Sequence, residues 1–448
     1  MSDRAPAVVR GVVIGLLAVV MSWAPATATA DEVDARLATS WFEFYLTLVR
    51  ETPGFSPPVA ARAFAYAGLT LYESLVDAIP GYETYGGRLP DLPPLPRPHA
   101  GGVHPPAVAN AALAAIAREL FVNARSTNVM ALDRLEAEWS EVHAQEVDSG
   151  TLARSHRHGV ALAEALHAWA ERDGGHLGQL SNFDPAYQPP DGPGHWVPTP
   201  RAVGEPLPAV QPWWGENRPF APSIHSACEP PPPPAYDELP DSQLYREALE
   251  VMATVRAITP HQRETAQFWS DDGGSTATPA GHWTSILTHV IDVRNDSLAF
   301  AAVAYSTLGM ALSDAFVRCW RTKFRHAYLR PITYIQRVID PTWNHPSLTD
   351  PLLTPPFPEY TSGHSVVSSA AATVLTALVG DDVAFVDHFH APRGFQARTY
   401  DSFWAAAEEA ALSRLLGGVH FRSAIEHGLA EGRCVGAQIL ALAGIDMK

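Results

Sequence analysis

The residues of this sequence that are best suited to chemistry are cations and imidazoles in three stretches of its C-terminal half. The first stretch is KFRHAYLRP, in which Lys323 and Arg330 are seven positions apart. Seven residues are about two helical turns, so on a continuous helix both charges would project from one face. Pro331 limits how far such a helix continues. Taken alone, the stretch is more typical of a solvated basic face that also carries Arg325 and His326.

The second stretch is FPEYTSGHSVV, in which Ser362, Gly363 and His364 precede a run of small apolar residues typical of a helix. A helix N-terminus presents free backbone N–H groups that bind anions. The glycine lets the backbone approach an anion closely, the serine adds a hydroxyl donor, and the histidine adds a proton donor or acceptor. The alternative is an ordinary helix start, with Thr361 or Ser362 as the N-cap and a histidine bonded locally.

The third stretch is SRLLGGVHFRSAIEHG, in which Arg414 closes an Ala-rich helical pattern and His420 follows Gly417 and Gly418. A guanidinium and an imidazole on either side of a glycine break can be directed at one centre. Taken alone, the arginine is more typical of a last helical turn, where its charge complements the helix dipole.

Together the three stretches resemble a known family signature. The order Lys-x6-Arg-Pro, Ser-Gly-His and Ser-Arg-x5-His is similar to that of the vanadium-dependent haloperoxidases and of the type-2 phosphatidic acid phosphatases, which share their site. The resemblance covers about residues 323–428, and PWWGENRPF and FWSDDGGSTATPAGHW also look like secreted bacterial members on the haloperoxidase side. It implies a pocket for a tetrahedral or trigonal-bipyramidal oxyanion, in an otherwise acidic chain.

The resemblance also implies roles for individual residues. Vanadate would be the cofactor, and phosphate would fit the same site. The oxygens would be held by Lys323, Arg330, Arg414, Ser362 and the N–H of Gly363. His420 would bond the central vanadium atom, and His364 would be the acid/base on the opposite face. Several fork-shaped cationic donors suit an oxyanion of high charge.

The implied reaction oxidises a halide with hydrogen peroxide to hypohalous acid, which then halogenates an organic acceptor. Lys323 would polarise the peroxide and His364 would assist the proton transfer. The alternative is a phosphohydrolase in which His420 attacks phosphorus and His364 protonates the leaving group. A third possibility is a non-catalytic helical protein that binds an oxyanion.

Two positions depart from the phosphatase pattern. Thr361 replaces the proline that usually precedes Ser-Gly-His, and Ala424 replaces an aspartate that usually lies four residues after the last histidine. In the phosphatases that carboxylate orients the nucleophilic imidazole, so its absence favours the haloperoxidase. A metal-bound histidine still needs an acceptor on its other nitrogen, and a backbone carbonyl is a candidate for this acceptor.

Three further residues are secondary candidates. Phe357 lies seven residues before His364, where haloperoxidases carry a residue beside the halide path, and an aromatic residue there resembles the chloride-oxidising type. Simple packing of this ring after two prolines is the alternative. His282, with Asp271 or Asp272, is a candidate partner for one of the arginines.

The elements that must position these residues are predicted to be almost entirely helical. Apolar residues recur every three or four positions over most of the chain, whereas alternating strand patterns are scarce. We predict an all-α fold, with helical bundles of the haloperoxidase and acid phosphatase type. Predicted helices cover residues 34–52, 57–79, 106–122, 130–147, 151–170, 241–258, 282–323, 331–338, 362–378, 400–416 and 425–442.

The predicted organisation has four parts: a leader at residues 1–30, a helical half at 31–173, an ordered Pro- and Trp-rich loop at 174–240, and the catalytic helical half at 241–448. The loop carries Trp196, Trp213, Trp214 and Phe220, which argue against a free linker. One continuous core and two separate cores are both compatible with the pattern.

Composition limits the remaining choices. The chain has 448 residues, 46% of them hydrophobic, and a net charge of −17, which argues against a nucleic-acid partner. Arg4, Arg10, a short apolar run and Ala28–Ala30 are typical of a secretory signal, although a membrane anchor is the alternative. We therefore expect a secreted or periplasmic protein with no membrane span after signal removal. Three cysteines allow at most one disulfide, and pairing into a homodimer stays open.

Overall fold

The computed structural model describes residues 33–98, 102–199, 205–343 and 354–446, together with Met1 and Ala30. The expected leader therefore lies outside the described residues, apart from those two positions. The described chain is all-α, as predicted, with one small antiparallel sheet in which β1, Phe385–Asp387, pairs with β2, Arg398–Tyr400. The helices are α1 Arg36–Glu51, α2 Pro57–Leu75, α3 Pro105–Leu120, α4 Ser126–Glu146, α5 Ser149–Ala170, α6 Ile224–Ala227, α7 Gln243–Arg256, α8 Pro260–Phe268, α9 Thr278–Arg294, α10 Leu298–His326, α11 Pro331–Tyr334, α12 Gly363–Val379, α13 Phe403–Leu416 and α14 Arg422–Ala443.

The single helix predicted over residues 282–323 is wrong, because the structure divides it into α9 and α10. Asn295 takes a left-handed conformation with φ 56° and ends α9. Ser297 then caps α10, its hydroxyl accepting the N–H of Phe300 at 3.2 Å. The apolar pattern continues across this break, which is why periodicity alone did not show it.

Lys323 and Arg330 do not lie on one continuous helix, which was the condition for their charges to share a face. Ala327 adopts φ 44° and ends α10 four residues after Lys323. Arg330 instead stands immediately before α11, as its N-cap residue. The two cations therefore approach the site from different segments.

The centre of the fold is α10, which packs against α2 and α12. Glycines permit the close contact with α2, since a Cβ on Gly68 would lie 2.4 Å from the carbonyl oxygen of Tyr305. By length and apolar composition α10 could cross a membrane, contrary to the expectation that no later segment could. In the fold, 94% of its most apolar window is buried inside the protein, the position of a core helix.

A glycine row on α14 seats α12, the helix that begins with the Ser-Gly-His stretch. Gly428, Gly432 and Gly436 recur every four residues on one face. A Cβ on Gly432 would lie 2.0 Å from the carbonyl oxygen of Val366, and one on Gly436 would lie 2.9 Å from that of Ala370. The backbones of the two helices are therefore in direct contact, which fixes the start of α12 relative to α14.

The large hydrophobic core runs through both halves, from α1 to α14. A second, smaller core lies around α7 and includes Leu244, Val251, Tyr334 and Phe421. The long loop packs on this body: Trp196, Trp214 and Phe220 are buried, while Trp213 is about half exposed. A disulfide between Cys228 and Cys434 ties the end of the loop to α14, and Cys319 is a free buried thiol.

Candidate anion site

Five helix ends and connections bring the predicted site residues together. Lys323 lies in the last turn of α10, Ser362 caps α12, and Arg414 lies in the last turn of α13. Arg330 precedes α11, and His420 lies in the connection between α13 and α14. These five side chains are at most 3% exposed. Burial first, and then the positive charges of Arg330, Lys323 and Arg414, hold the pKa of His420 well below its ordinary value, so the cations converge on this ring.

Lys323 is enclosed by backbone oxygens. Its Nζ donates to the carbonyls of Pro358, Glu359 and Thr361 at 3.0, 2.9 and 2.5 Å. Burial lowers the pKa of Lys323 to about 8. The ammonium therefore shapes the segment immediately before Ser-Gly-His, in addition to any contact with a bound anion.

Arg330 bonds to the beginning of the segment whose later residues, Pro358 to Thr361, surround Lys323. Its Nε and Nη2 donate to the carbonyl of Phe357 at 3.1 and 2.8 Å, and Nη1 donates to the carbonyl of Val419 at 2.9 Å. Nη1 also lies 3.2 Å from Nε2 of His420. A guanidinium can only donate, so this ring nitrogen must be the acceptor. The lone pair on Nε2 of His420 thus faces a cation.

Glu359 supplies the acceptor for the other nitrogen of His420, and the sequence analysis missed it. Nδ1 of His420 lies 2.7 Å from Oε1 of Glu359, which also accepts the N–H of Phe421 at 2.9 Å. Because Nε2 is the acceptor, the ring proton is on Nδ1 and is donated to this carboxyl group. A side chain therefore fills the role for which a backbone carbonyl was the candidate. Burial raises the pKa of Glu359 to about 8.

The two departures from the phosphatase pattern have structural explanations. The backbone carbonyl of Ala424 accepts the N–H of Ser362 at 3.0 Å, which joins α14 to the start of α12. Thr361 donates its hydroxyl to the buried carboxylate of Glu431, which also accepts from Thr322 at 2.7 Å. A proline at residue 361 would have no such hydroxyl.

The Ser-Gly-His stretch is both an ordinary helix start and a helix N-terminus with room for an anion. Ser362 is the N-cap of α12, with its Oγ accepting the N–H of Ser365 at 3.4 Å, and its own hydroxyl proton remains available. A Cβ on Gly363 would meet only Trp320, at 3.8 Å, so there is room beside this backbone. Burial, and then Arg414, hold the pKa of His364 well below its ordinary value, so the ring is neutral.

His364 is oriented by the backbone of Ser270, which hydrogen-bonds its ring. Nε2 has no partner among the described residues, so Nδ1 is the nitrogen bonded to Ser270. Nε2 therefore carries a lone pair that is free to accept a proton.

Arg414 is held by residues that neighbour Ser270 in sequence, namely Trp269, Asp271 and Asp272. Its Nη1 donates to the carbonyl of Trp269 at 3.2 Å, while its buried Nε has no partner in the described part of the chain. Asp272 and then Asp271 act on it electrostatically, although burial lowers its pKa. Asp272 is thus placed where the arginine-partner hypothesis expected it. His282 bonds to Asp271 and Asp387 and makes no described hydrogen bond to an arginine.

A cavity of about 630 Å³ opens beside these groups. Its wall includes His364, Arg414, Asp272 and Phe357, whereas Lys323, Arg330 and His420 are not part of the described lining. The Phe357 ring also packs on Trp320, with centroids 4.8 Å apart. Phe357 therefore lies between the cavity and two of the buried cations, with Lys323 Nζ 5.1 Å and Arg330 Cζ 5.2 Å from its centroid, whereas Arg414 reaches the cavity wall directly.

The donor set fits an oxyanion. Lys323, Arg330 and Arg414 are buried cations, and the buried Nε of Arg414 and Nε2 of His364 have no partners among the described residues. Buried polar atoms are rarely left unsatisfied, so these atoms indicate a missing ligand. Fork-shaped guanidinium groups and a helix N-terminus both favour a tetrahedral anion.

Comparison with known proteins agrees with this geometry. The chain superposes on a bacterial vanadium-dependent iodoperoxidase with a TM-score of 0.81 and 31% identity, over 93% of this chain and 98% of that chain. Apo- and holo-type structures of bacterial vanadium-dependent chloroperoxidase share the fold at 15% identity each. The apo-type structure has a TM-score of 0.67, covering 93% of this chain and 99% of that chain. The holo-type structure has a TM-score of 0.63, covering 88% of this chain and 94% of that chain. The family model of the VCPO second helical-bundle domain matches residues 303–444, and no curated protein matches.

Fold and site together define an all-helical protein with a buried cationic pocket. The chain belongs to the vanadium-dependent haloperoxidase family.

Proposed function

We propose that this protein is a vanadate-dependent haloperoxidase, which oxidises a halide with hydrogen peroxide and so supplies hypohalous acid to an organic acceptor. The observation that carries the proposal is the lone pair on Nε2 of His420, fixed by Glu359 behind it and surrounded by Arg330, Lys323 and Arg414. A metal-ligating histidine requires this arrangement, with its second nitrogen donating to a carboxylate.

The same groups would hold vanadate. Arg330, Arg414 and Lys323 would balance the charge of its oxygens, with Ser362 and the N–H of Gly363 as further donors, and Nε2 of His420 would be the ligand to vanadium. Bound there, vanadate supplies a Lewis acid that activates hydrogen peroxide without changing its own oxidation state. Because the three cations are buried, their electrostatic stabilisation of developing negative charge is strong.

His364 is the group placed to move a proton. It is neutral, since burial and Arg414 hold its pKa low, and Nε2 is the free acceptor. Hydrogen peroxide entering from the cavity would lose one proton to this atom, and the imidazolium so formed would be able to donate that proton again. The Ser270 contact keeps Nδ1 out of this exchange.

The halide and the acceptor would enter through the 630 Å³ cavity. The iodoperoxidase relative at 31% identity makes iodide the first halide to assay, whereas Phe357 resembles the chloride-oxidising type. Phe357 lines the cavity next to Lys323, a position from which a halide would reach the buried cations.

The test uses purified protein freed of bound anions and then loaded with vanadate. Halogenation of a β-diketone is measured with hydrogen peroxide and iodide, bromide or chloride, with p-nitrophenyl phosphate hydrolysis measured in parallel. We expect vanadate-dependent halogenation that falls to background in His420→Ala. His261→Ala, an exposed histidine on α8, is the matched control and should retain full activity. Halogenation that persists in His420→Ala, or that does not depend on added vanadate, would refute the proposal.

One observation favours a second candidate, a phosphohydrolase with His420 as nucleophile. The sequence argument against it was the missing aspartate at residue 424, and Glu359 supplies a carboxyl group to the same ring nitrogen. An oriented imidazole whose Nε2 carries the lone pair can attack phosphorus as well as bind vanadium, once the Arg330 hydrogen bond to that nitrogen is given up. Phosphate-ester hydrolysis without halogenation would select this candidate.

We also propose that the protein is exported. The leader-like sequence at residues 1–30 supports this, and so does the Cys228–Cys434 disulfide, because disulfides persist mainly in oxidising compartments. Protease treatment of intact cells and separated periplasm would locate the mature chain.

A further inference from the structure

A buried imidazole joins two acids next to the anion site. His282 on α9 is 0% exposed; its Nδ1 lies 3.0 Å from Oδ2 of Asp271, and its Nε2 lies 2.6 Å from Oδ2 of Asp387. The rings of Trp269 and Phe389 stack on its two faces, each with centroids 4.4 Å away. Burial opposes the charged form, but the two carboxylates outweigh it and raise the pKa of His282 to about 10. His282 is thus a charged bridge with both N–H groups in use.

Asp271, one end of this bridge, lies within a segment whose other residues contact the anion site. We call residues 269–272 the gripping turn. The carbonyl of Trp269 accepts from Arg414, the backbone of Ser270 bonds the His364 ring, and Asp272 lies in the cavity wall. The central residue therefore bonds to His282 while its neighbours hold the site.

Backbone hydrogen bonds hold both ends of the gripping turn: the N–H of Trp269 donates to the carbonyl of Thr265, and the N–H of Thr276 donates to that of Asp272. Its central residue is strained. Asp271 is in the left-handed region, with φ 51°, which costs a non-glycine residue free energy unless its surroundings stabilise it. Its carboxylate accepts from His282 and, at 3.0 Å, from Nε2 of His390. These two imidazoles are the contacts that hold the residue in its strained conformation.

Asp387, the other end of the bridge, belongs to β1 of the small sheet. Its Oδ1 accepts the N–H of Phe389 at 2.9 Å, and the loop that follows carries Arg393 and Phe395 into the cavity wall. His282 consequently ties α9 to both the gripping turn and one wall of the cavity.

We propose that His282 is a positioning residue for the anion site, holding the gripping turn through Asp271 so that the Trp269 and Ser270 carbonyls direct Arg414 and His364 at the bound anion. The inference rests on the proposed function in that it takes this pocket to be the oxyanion site. The effect should appear first as anion affinity, since the donors remain present and lose only their placement.

His282→Ala would leave two buried carboxylates without a counter-charge, and such a protein is prone to unfold. The informative variant is His282→Gln, whose amide still donates to one carboxylate. Asp387→Asn is the second variant, because it removes one acid of the bridge without touching the gripping turn. His289→Gln is the matched control, a partly exposed histidine on the same helix α9.

The experiment measures binding of inorganic phosphate and of vanadate by calorimetry, at a temperature where near-UV circular dichroism shows each variant to be folded. We expect His282→Gln to bind both anions about 10–100-fold more weakly than wild type, the range typical when a supporting contact is lost. Asp387→Asn should show a smaller loss in the same direction, and His289→Gln none. Wild-type affinity in folded His282→Gln would overturn the inference.

A second readout separates positioning from general stability. The gripping turn acts on the anion through two side chains, Arg414 and His364. In an Arg414→Ala background, His282→Gln should therefore reduce anion affinity by a smaller factor than it does in wild type, because the effect through Arg414 is already absent. Equal losses in both backgrounds would overturn the inference. A wild type that binds these anions and halogenates nothing would refute the proposed function but leave this comparison intact. A wild type that binds neither anion would refute both.

Discussion

Nδ1 of His420 lies 2.7 Å from Oε1 of Glu359, across 61 residues of sequence. This contact fixes the ring proton on Nδ1 and leaves Nε2 as the lone-pair nitrogen, beside Arg330. The carboxyl group that the sequence lacks at Ala424 is therefore present in space. Glu359 stands in FPEYTSGH, only five residues before His364, so one short segment provides groups for both histidines.

Glu359→Gln should weaken vanadate binding. The amide can keep the hydrogen bond from Nδ1 but cannot ionise. Above about pH 8, where Glu359 is a carboxylate that increases the basicity of the ring, we expect a loss of about 10–100-fold in affinity. Equilibrium dialysis of the reconstituted protein measures the change. Glu250→Gln, which alters a half-exposed ion pair with Arg422, is the control and should bind normally. Unchanged affinity in folded Glu359→Gln would contradict the role assigned to this residue.

Anion affinity should fall as the pH rises through about 8. Burial lowers the pKa of Lys323 to about 8, so the free protein loses this positive charge above that pH. Burial also raises the pKa of Glu359 to about 8, and its ionisation adds negative charge over the same range, in the same direction. Tungstate, whose own charge is constant here, is the probe, and calorimetry between about pH 6.5 and 9 is the measurement.

In Lys323→Met the tungstate affinity should be lower at neutral pH, and its decline towards alkaline pH should be shallower, because only Glu359 still titrates. Binding to wild type above pH 8 should be accompanied by proton uptake, since the anion restores the charged ammonium. A wild-type affinity that is flat across the range would show that Lys323 does not act on the anion.

Gly432→Ala should strongly destabilise the fold. Its Cβ would lie 2.0 Å from the carbonyl oxygen of Val366, so α12 and α14 would have to separate. Forced overpacking of this kind typically costs about 1–3 kcal/mol and occasionally more. Thermal unfolding measures the loss, with Ala430→Ser on the exposed side of α14 as the control. Because Ser362 at the start of α12 contacts α14, anion affinity should fall as well; an unchanged melting temperature would contradict the close contact.

Reduction of the Cys228–Cys434 disulfide should lower stability without abolishing the fold. The bond links residues 206 positions apart, and removal of a native disulfide typically costs about 2–5 kcal/mol. The melting temperature of wild type should fall on addition of dithiothreitol, while that of Cys228→Ala/Cys434→Ala should be low already and unaffected. Cys319→Ala, the free buried thiol, should keep the sensitivity to reductant. A wild type indifferent to reductant would contradict this expectation.

The helical class could be predicted from sequence because a buried helix requires an apolar residue every three or four positions. The same regularity concealed the break at Asn295, since both α9 and α10 keep an apolar face on either side of it. The end of α10 was predicted at residue 323, three residues before its observed end at His326, where left-handed Ala327 terminates the helix. A left-handed alanine is uncommon, and it is held here by tertiary contacts that include the Trp196 N–H bond to its carbonyl at 2.7 Å.

The site residues could be found from the sequence because their types and order are distinctive. The residues that hold them in place could not be found in this way. Glu359 acts on His420 across 61 residues and Asp271 on His390 across 119, and no local pattern encodes such distances. The Asp271–His282 contact spans only 11 residues. One signal was available for Glu359: a single acid between prolines and aromatics in FPEYTSGH, a segment that otherwise has no reason to carry charge. The Asp271–His282 pair was considered only as a partner for an arginine.

The carboxyl group of Glu359 orients His420, the task that an aspartate four residues after the last histidine performs in the phosphatases, while the backbone carbonyl of Ala424 anchors Ser362. A survey that looked only for an aspartate four residues after the last histidine would therefore wrongly classify this chain as lacking a carboxyl group beside that imidazole. Sorting homologues by which residue occupies the space behind that ring, whatever its alignment column, would group them by chemistry rather than by ancestry of a single position.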